Sequence, residues 1–298
     1  MKQTKGFQIW QIIYPVGLYY VVSSLCYFAL EILLGSADET YMLRQLVGDA
    51  VTIPVILKFY MADQNIRDTV YGKKKFRFSS EQAINIAVTV VSVAALGIAV
   101  NNIIAMTSLI QASEGFQTAN QAFFAGAAVY EFLGSCFLIP IAEELLFRGV
   151  VYQRLKLMLG VAPAIICSAL IFGLVHANLV QFLYAAVLGC LLAFLYEKTG
   201  FFYVPVLGHI AANTVSVVRE ETGWLSFGYT TDAKGIGFTA VMLVVAGAVI
   251  WGFWKWKKNV EFVYDGKAVF LTITLTFFAM LMAGADVAIQ QADIYMHL

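Results

Sequence analysis

The chain has 298 residues, with 19 Lys and Arg balancing 19 Asp and Glu, so its formal net charge is zero. Hydrophobic residues make up 60% and charged residues 13%, where a soluble domain carries roughly a quarter charged residues, and the mean hydropathy is +0.78. A soluble globular protein is excluded, bulk charge offers nothing to nucleic acid, and the apolar runs are continuous rather than alternating, which reads as an all-α, polytopic membrane helical bundle with the lipid bilayer as its solvent.

In chain order the apolar runs predict about eight or nine transmembrane helices, at about 8–34, 45–62, 83–110, 122–147, 162–178, 181–196, 203–218, 236–254 and 268–287. The first follows Lys2 and Lys5 in the manner of a signal peptide, but it is too long and lacks a small-x-small cleavage site, so it reads as a retained anchor. Nothing is left over for a soluble domain, and residues 1–298 read as one integral membrane domain. Cys26, Cys136, Cys167 and Cys190 all fall in spans without metal-ligand spacing and read as packing residues. No internal repeat of the kind found in many transporters is evident.

With the N-terminus in the cytoplasm, 15 of the 19 basic residues fall in cytoplasmic segments, and only Arg44, Arg219 and Lys234 fall in outer ones. That asymmetry predicts a multi-pass protein with a cytoplasmic N-terminus. The cluster Lys73–Lys75 with Arg77 reads as a topology determinant that can also touch anionic headgroups. The run Trp251–Lys258 reads as an interfacial anchor, and His297 as a solvated tail residue.

Three polar sets interrupt the apolar runs: Glu143-Glu144-Leu-Leu-Phe-Arg148, Phe172-Gly-Leu-Val-His176 and His209-Ile-Ala-Ala-Asn213. Ionisable groups are costly in hydrocarbon, so each is a functional-site hypothesis by default. Glu144 and Arg148 are spaced to form an i,i+4 ion pair, which leaves Glu143, about 100° around the helix, free for chemistry. A turn near Gly160 folds the fourth and fifth spans into a hairpin that brings Glu143 and His176 to similar depth, and entry from Gly200 puts His209 and Asn213 on one face in the cytoplasmic half. Phe172 reads as packing beside His176, and Gly149 and Gly189 as points of close helix approach. Other embedded polar groups, Glu31, Asp49, Lys58, Asn85, Asn101, Asn102, Glu131 and Asp286, have no motif around them and receive no catalytic role.

One carboxylate, two histidines and an amide donor match the needs of amide hydrolysis: a base for water, a proton donor for the leaving amine and donors for the oxyanion. In this order the motifs resemble the signature of the CPBP family, the type II CAAX prenyl proteases with the bacteriocin-processing and self-immunity proteins, also called Abi. The resemblance covers about residues 122–218, the expected catalytic core, and includes Glu197-Lys-Thr-Gly200 and Pro205 leading into the third motif. It implies an intramembrane endopeptidase in which Glu143 activates water, His176 assists, His209 and Asn213 hold the oxyanion, and Glu144 and Arg148 support. The implied partner is a peptide or membrane-protein substrate, and a bacterial cell membrane is the expected location. No cofactor is expected, since no His-Glu-x-x-His pair is present, but Glu143, His176 and His209 can alternatively make a three-ligand zinc site.

Two other functions use the same residues. A non-catalytic membrane regulator or self-immunity protein of this fold would keep its phenotype when Glu143 or His176 is substituted. A proton-coupled carrier would also place Glu and His in the membrane, but gives no reason for His209 and Asn213 to share a face.

Overall fold

A computed structural model describes residues 5–71 and 79–256. The expected span at 268–287, the cluster Lys73–Lys75 with Arg77, Lys257 and Lys258 of the interfacial run, Asp286 and His297 lie outside the described residues. Within them the regular structure is entirely helical, so that backbone N–H and C=O groups are satisfied inside their own segments. In order these are α1 (Lys5–Leu34), α2 (Tyr41–Tyr71), α3 (Ser80–Ala105), the short α4 (Leu109–Ala112) and α5 (Glu114–Phe123). The long α6 (Ala128–Leu159) follows, then α7 (Val161–Leu174), α8 (Leu179–Thr199), α9 (Tyr203–Thr222) and α10 (Ala233–Trp256).

Helices occupy every predicted span that falls among the described residues, but fewer of them suit a full crossing. Five, namely α1, α2, α3, α8 and α10, are long and apolar enough, and a sixth if α5 and α6 count as one span bent by 110°. The run expected at 122–147 is therefore broken after Phe123, and its second part continues to Leu159. α7 has 14 residues, about 21 Å at helical rise against a hydrocarbon thickness of about 30 Å. α9 is long enough but too polar, since it carries His209, Asn213, Arg219, Glu220 and Glu221. Neither needs lipid contact over its length, because both are packed in protein.

α6 is the axis of the bundle. Its residues Glu144 to Tyr152 are all buried, as a segment can be whose two charges, Glu144 and Arg148, pair with each other. α1 is the opposite case, with 11% of its apolar window buried against 50% for α8, so α1 is a lipid-facing outer helix.

Side-chain contacts give the helices two common ends. Tyr19 bonds Asp49 and Arg44 pairs with Glu31, which makes α1 and α2 antiparallel. Asn101 bonds Ser216 and Asn102 bonds Arg219, which makes α3 and α9 parallel. Asn102 also bonds Thr239, so the start of α10 meets the finish of α3. One end of the bundle thus gathers Leu34, Tyr41, Ala105, Ala128, Leu179, Thr222 and Ala233; the other gathers Tyr71, Ser80, Leu159, Val161, Thr199, Tyr203 and Trp256. The first is the α4–α5 end, since that segment joins Ala105 to Ala128 there.

At the second end the turns are set by glycines in the left-handed region, Gly160 at φ 84° and Gly200 at φ 70°. Polar pairs tie this end together: Glu197 accepts from Lys156 Nζ and Tyr152 Oη, each at 2.7 Å, and Arg154 Nε donates to Asp63 at 2.7 Å. At the α4–α5 end, Arg44 and Arg219 are buried, at 2% and 1% exposure. They were expected in outer loops. Arg44 instead stacks on Tyr27 and Arg219 on Tyr229, with the guanidinium carbon 4.7 and 4.2 Å from the ring centroids, because long basic side chains so close to a helix end can fold back into the bundle.

Candidate active site

The local structure of α6 explains how its side chains reach α9. Residues Gly134–Leu138 form a π-helical turn just before Pro140, where the proline removes an N–H from the helical ladder. Ile139 N–H bonds Gly134 O instead of Ser135 O. The Ser135 carbonyl is thereby freed, and Asn213 Nδ2 of α9 donates to it at 2.7 Å. A second π-helical stretch, Leu145–Tyr152, begins directly after Glu144. Wide turns of this kind are rare and are frequent at functional sites.

Glu143 and Glu144 flank one imidazole. Glu144 Oε1 accepts from Arg148 Nη1 at 2.7 Å and from His209 Nδ1 at 2.8 Å. The other ring nitrogen, His209 Nε2, lies 3.6 Å from Glu143 Oε2. The i,i+4 pair anticipated from spacing is therefore present, but Glu144 does more than neutralise Arg148: it joins Arg148 to His209. Glu143 is not remote either, because it faces the opposite edge of the same ring.

Phe172 is the apolar hub. Its ring centroid lies 5.1 Å from that of His176, 5.6 Å from that of His209 and 5.0 Å from that of Phe147. The Arg148 guanidinium carbon sits 4.5 Å from the same centroid. Gly189 makes room for that guanidinium, since a Cβ there would stand 3.0 Å from Arg148 Nη2 and 3.1 Å from Ala169 Cβ. At Gly149 a Cβ would meet Tyr60 Cδ2 at 2.5 Å, so both glycines permit the close approaches anticipated for them.

His176 sits where α7 stops. Its Nδ1 donates to Phe172 O at 2.8 Å, which leaves Nε2 available to a ligand. The next residue, Ala177, has φ 58°, a costly conformation for a residue with a Cβ. Asn178 then caps α8, its Oδ1 accepting from Gln181 N at 2.9 Å.

Glu143, His176, His209 and Asn213 all line one cavity of about 990 Å³. Phe172 lines it too, whereas Glu144 and Arg148 lie behind it. The lining also includes residues with no motif in the sequence: Tyr19, Ser23, Gln45, Asn120, Ser216 and Glu220. Three of these are held by buried Asp49, whose carboxylate accepts from Tyr19 Oη at 2.7 Å, Gln45 Nε2 at 3.2 Å and Ser23 Oγ at 3.3 Å. A lone Asp in an apolar run was the only signal for this wall.

The cavity does not run toward the Gly160 and Gly200 turns from which depth was reckoned. No lining residue falls between Gln45 and Asn101, between Glu143 and Phe172, or between Leu192 and His209. The walls come chiefly from the parts of α1, α2, α3, α8 and α9 nearest the α4–α5 end, passing mid-helix at Leu192, His209 and Ala212, and from α5 itself through Phe116, Ala119, Asn120 and Phe123. The short α7 accounts for this, because all of it lies between Gly160 and His176.

Among the described residues no three His, Cys, Asp or Glu side chains are grouped to hold a metal ion. The Nδ1 atoms of His176 and His209 are engaged by Phe172 O and Glu144.

Residues 125–215 match the Rce1-like family, type II CAAX prenyl endopeptidases. This Rce1-like segment contains all three polar motifs and both π-helical turns, and it agrees with the CAAX-protease resemblance drawn from the motifs. A putative membrane peptidase of Bacillus subtilis (strain 168), YdiL, is 36% identical over 81 residues, 27% of this chain and 33% of that protein. The human CAAX prenyl protease 2 is 31% identical over 96 residues, 26% of this chain and 29% of that protein. The chain thus matches about a third of the length of these curated relatives. No solved structure matches significantly. Outside the Rce1-like segment lie α1 to α5 and α10, which wall the cavity or face lipid.

Proposed function

We propose that the chain is a membrane-embedded endopeptidase in which Glu143 activates the attacking water. The observation that carries this reading is the His209 ring held between two carboxylates, Glu144 at Nδ1 and Glu143 at Nε2, in a cavity shared with His176 and Asn213. Similarity of residues 125–215 to type II CAAX prenyl endopeptidases supports it.

In this mechanism a Glu143 oxygen takes a proton from water as the water oxygen attacks the peptide carbonyl carbon. The C=O π electrons move to oxygen, and the oxyanion is met by donors from α9. His209, with its Nδ1–H given to Glu144, donates from Nε2 in the doubly protonated form that this role requires. Asn213 keeps one N–H of its amide, the other being given to Ser135 O. One such donor is worth about 3 kcal/mol in the transition state. The proton collected by Glu143 passes to the leaving amine nitrogen as the C–N bond breaks, and His176 Nε2, left free by the Nδ1 bond to Phe172 O, orients the water or relays that proton. Arg148 takes no part in bond making; it fixes Glu144, and Glu144 fixes the ring.

No step is routed through a metal. A three-ligand site from Glu143, His176 and His209 is disfavoured because, among the described residues, the three do not converge as a ligand group.

The test is a proteomic comparison of membranes carrying the wild-type chain and Glu143→Gln. A precursor should accumulate in the variant, and its cleavage by purified protein should fall roughly a hundredfold or more, with thermal stability retained. Undiminished cleavage by Glu143→Gln or by His176→Ala would overturn the mechanism. Purified wild-type protein should keep its activity after exhaustive chelation; loss that zinc restores would replace this reading with a metal-dependent one.

A further inference from the structure

The cavity wall formed by α1 and α2 has a polarity of its own, set by one residue behind it. Asp49 does not line the cavity and is 1% exposed. Its carboxylate is met by Tyr19 Oη, Ser23 Oγ and Gln45 Nε2, all from lining residues. Close approach of the two helices makes this possible, since a Cβ on Gly48 would stand 3.1 Å from Ser23 Oγ and 3.2 Å from the Ser23 carbonyl oxygen. A carboxylate only accepts, and a hydroxyl has one hydrogen to give. Tyr19 and Ser23 have therefore committed theirs to Asp49, and each keeps only lone pairs for a ligand. Gln45 keeps its carbonyl oxygen and one N–H.

Glu143 stands between this patch and α9. It lies 3.6 Å from His209 Nε2, and its charge also reaches Tyr19, Tyr20 and Asp49. α6, which carries it, packs against both α2 and α9. The α9 side offers donors, His209 Nε2 and one N–H of Asn213, so the two walls are of opposite polarity. A trans peptide unit points its C=O and N–H in opposite directions, and along an extended chain successive residues face opposite edges. With the scissile carbonyl turned to α9, two N–H groups turn toward α1 and α2: that of the residue after the scissile bond and that of the second residue on the acyl side.

We infer that Tyr19, Ser23 and Gln45, aligned by Asp49, form a subsite that binds the backbone of an extended peptide by accepting those N–H groups. Asp49 is its positioning residue and touches no substrate. The inference rests on the endopeptidase reading for its peptide, but gives these residues no part in bond breaking. Gln45, with one acceptor and one donor, matches the N–H and C=O that a single residue of an extended chain shows on one edge. A peptide turned the other way would set its scissile carbonyl against lone pairs, and a buried acceptor left unpaired is costly. The subsite thus selects the face that the peptide shows to α9. Main-chain recognition of this kind gives affinity with little regard to side chains. All four residues lie outside the Rce1-like segment.

The probe is a synthetic peptide spanning the cleavage site of the precursor that accumulates with Glu143→Gln. Single amides in it are replaced by esters, which removes one N–H without adding bulk, and the full chain in liposomes cleaves each analogue. An ester at the N–H of the second residue on the acyl side should raise KM roughly five- to tenfold with kcat held within about twofold. At the first residue on that side, whose N–H faces α9, KM should change less than about twofold. The larger effect should shrink below about twofold in Tyr19→Phe or in Ser23→Ala, whichever hydroxyl meets that N–H. Asp49→Leu leaves both hydroxyls free to donate and should lose the effect as well; should this variant not fold, the two hydroxyl variants decide alone. Equal KM for amide and ester in the wild-type chain, an effect at the first residue instead, or an effect unchanged in both hydroxyl variants overturns the subsite. A folded Asp49→Leu protein that keeps the effect overturns the role of Asp49. Glu143-dependent cleavage without any ester effect leaves the endopeptidase reading intact, whereas absence of a Glu143-dependent precursor overturns that reading and this inference with it.

Discussion

Neither Glu144 nor Arg148 could occupy its position alone, since both are completely buried. Removing one partner of a buried pair leaves an uncompensated charge, which costs about 3–5 kcal/mol. Glu144→Ala should therefore lower thermal stability sharply, and Glu144→Leu combined with Arg148→Met should recover much of it. Activity should stay low in the double variant, because His209 Nδ1 loses its acceptor, so melting and cleavage separate the two roles of Glu144. The i,i+4 spacing makes the Glu144–Arg148 pair legible in the sequence. The bond from Glu144 to His209 is not legible there, because it depends on how α9 crosses α6. Ala177 is a different case: its left-handed φ of 58° stands beside His176 for no reason a hydropathy pattern can reveal. Ala177→Gly should relieve about 1 kcal/mol of strain and raise the melting temperature, and a loss of stability would show that the Ala177 methyl group makes a needed contact.

At the scale of the helices, close approach decides what is tolerated. A Cβ on Gly173 would stand 2.8 Å from the Phe182 carbonyl oxygen, whereas at Gly17 nothing lies within 4 Å. Gly173→Ala should cost roughly 1–3 kcal/mol through overpacking, and Gly17→Ala should be neutral or mildly stabilising; equal melting temperatures for the two would contradict the α7–α8 contact. The start of α10 carries a pH dependence. Asp232 Oδ1 accepts from Gly235 N and Thr230 Oγ1, each at 2.8 Å, and these bonds, the Gly235 amide first, hold its carboxyl below the usual carboxylate range. A depressed folded-state pKa contributes stability above the unfolded pKa that is lost as pH falls through the folded one. Hydrogen exchange at the first turn of α10 should therefore quicken below about pH 4, and Asp232→Asn should remove that pH dependence. Helix existence was readable from apolar runs throughout the described residues. Crossing ability was not, since a run such as 122–147 looks continuous in hydropathy while its backbone turns at Phe124–Ala127, where no proline announces the corner.

For the whole molecule, the sequence motifs located the chemistry but not its surroundings. The Rce1-like segment holds the three polar sets, and the helices outside it supply Tyr19, Ser23, Gln45 and Asn120 to the same cavity. Specificity should therefore sit largely in α1, α2 and α5. Asn120→Trp should narrow the range of peptides cleaved while leaving stability unchanged, read as KM rising with kcat conserved for the bulkiest substrates; a uniform loss of kcat would place Asn120 in the chemistry instead. The end of the bundle that the cavity occupies was hidden from the sequence for a related reason. Depth reckoned from Gly160 treats α7 as a full crossing, whereas it ends after 14 residues and leaves His176 at its far tip.

The wide turn at Gly134–Leu138 also bears on how such a protein can change by descent. It holds one residue more than an α-helical count between the α5–α6 corner and Glu143. Loss of the Gly134 codon would pair Ile139 N–H with the Ser135 carbonyl, release Asn213, and turn Ala128–Leu133 by about 100° relative to Glu143. Three nucleotides thus separate the aim of α5 from the identity of every catalytic candidate, so lineages can re-orient the one without substituting the other.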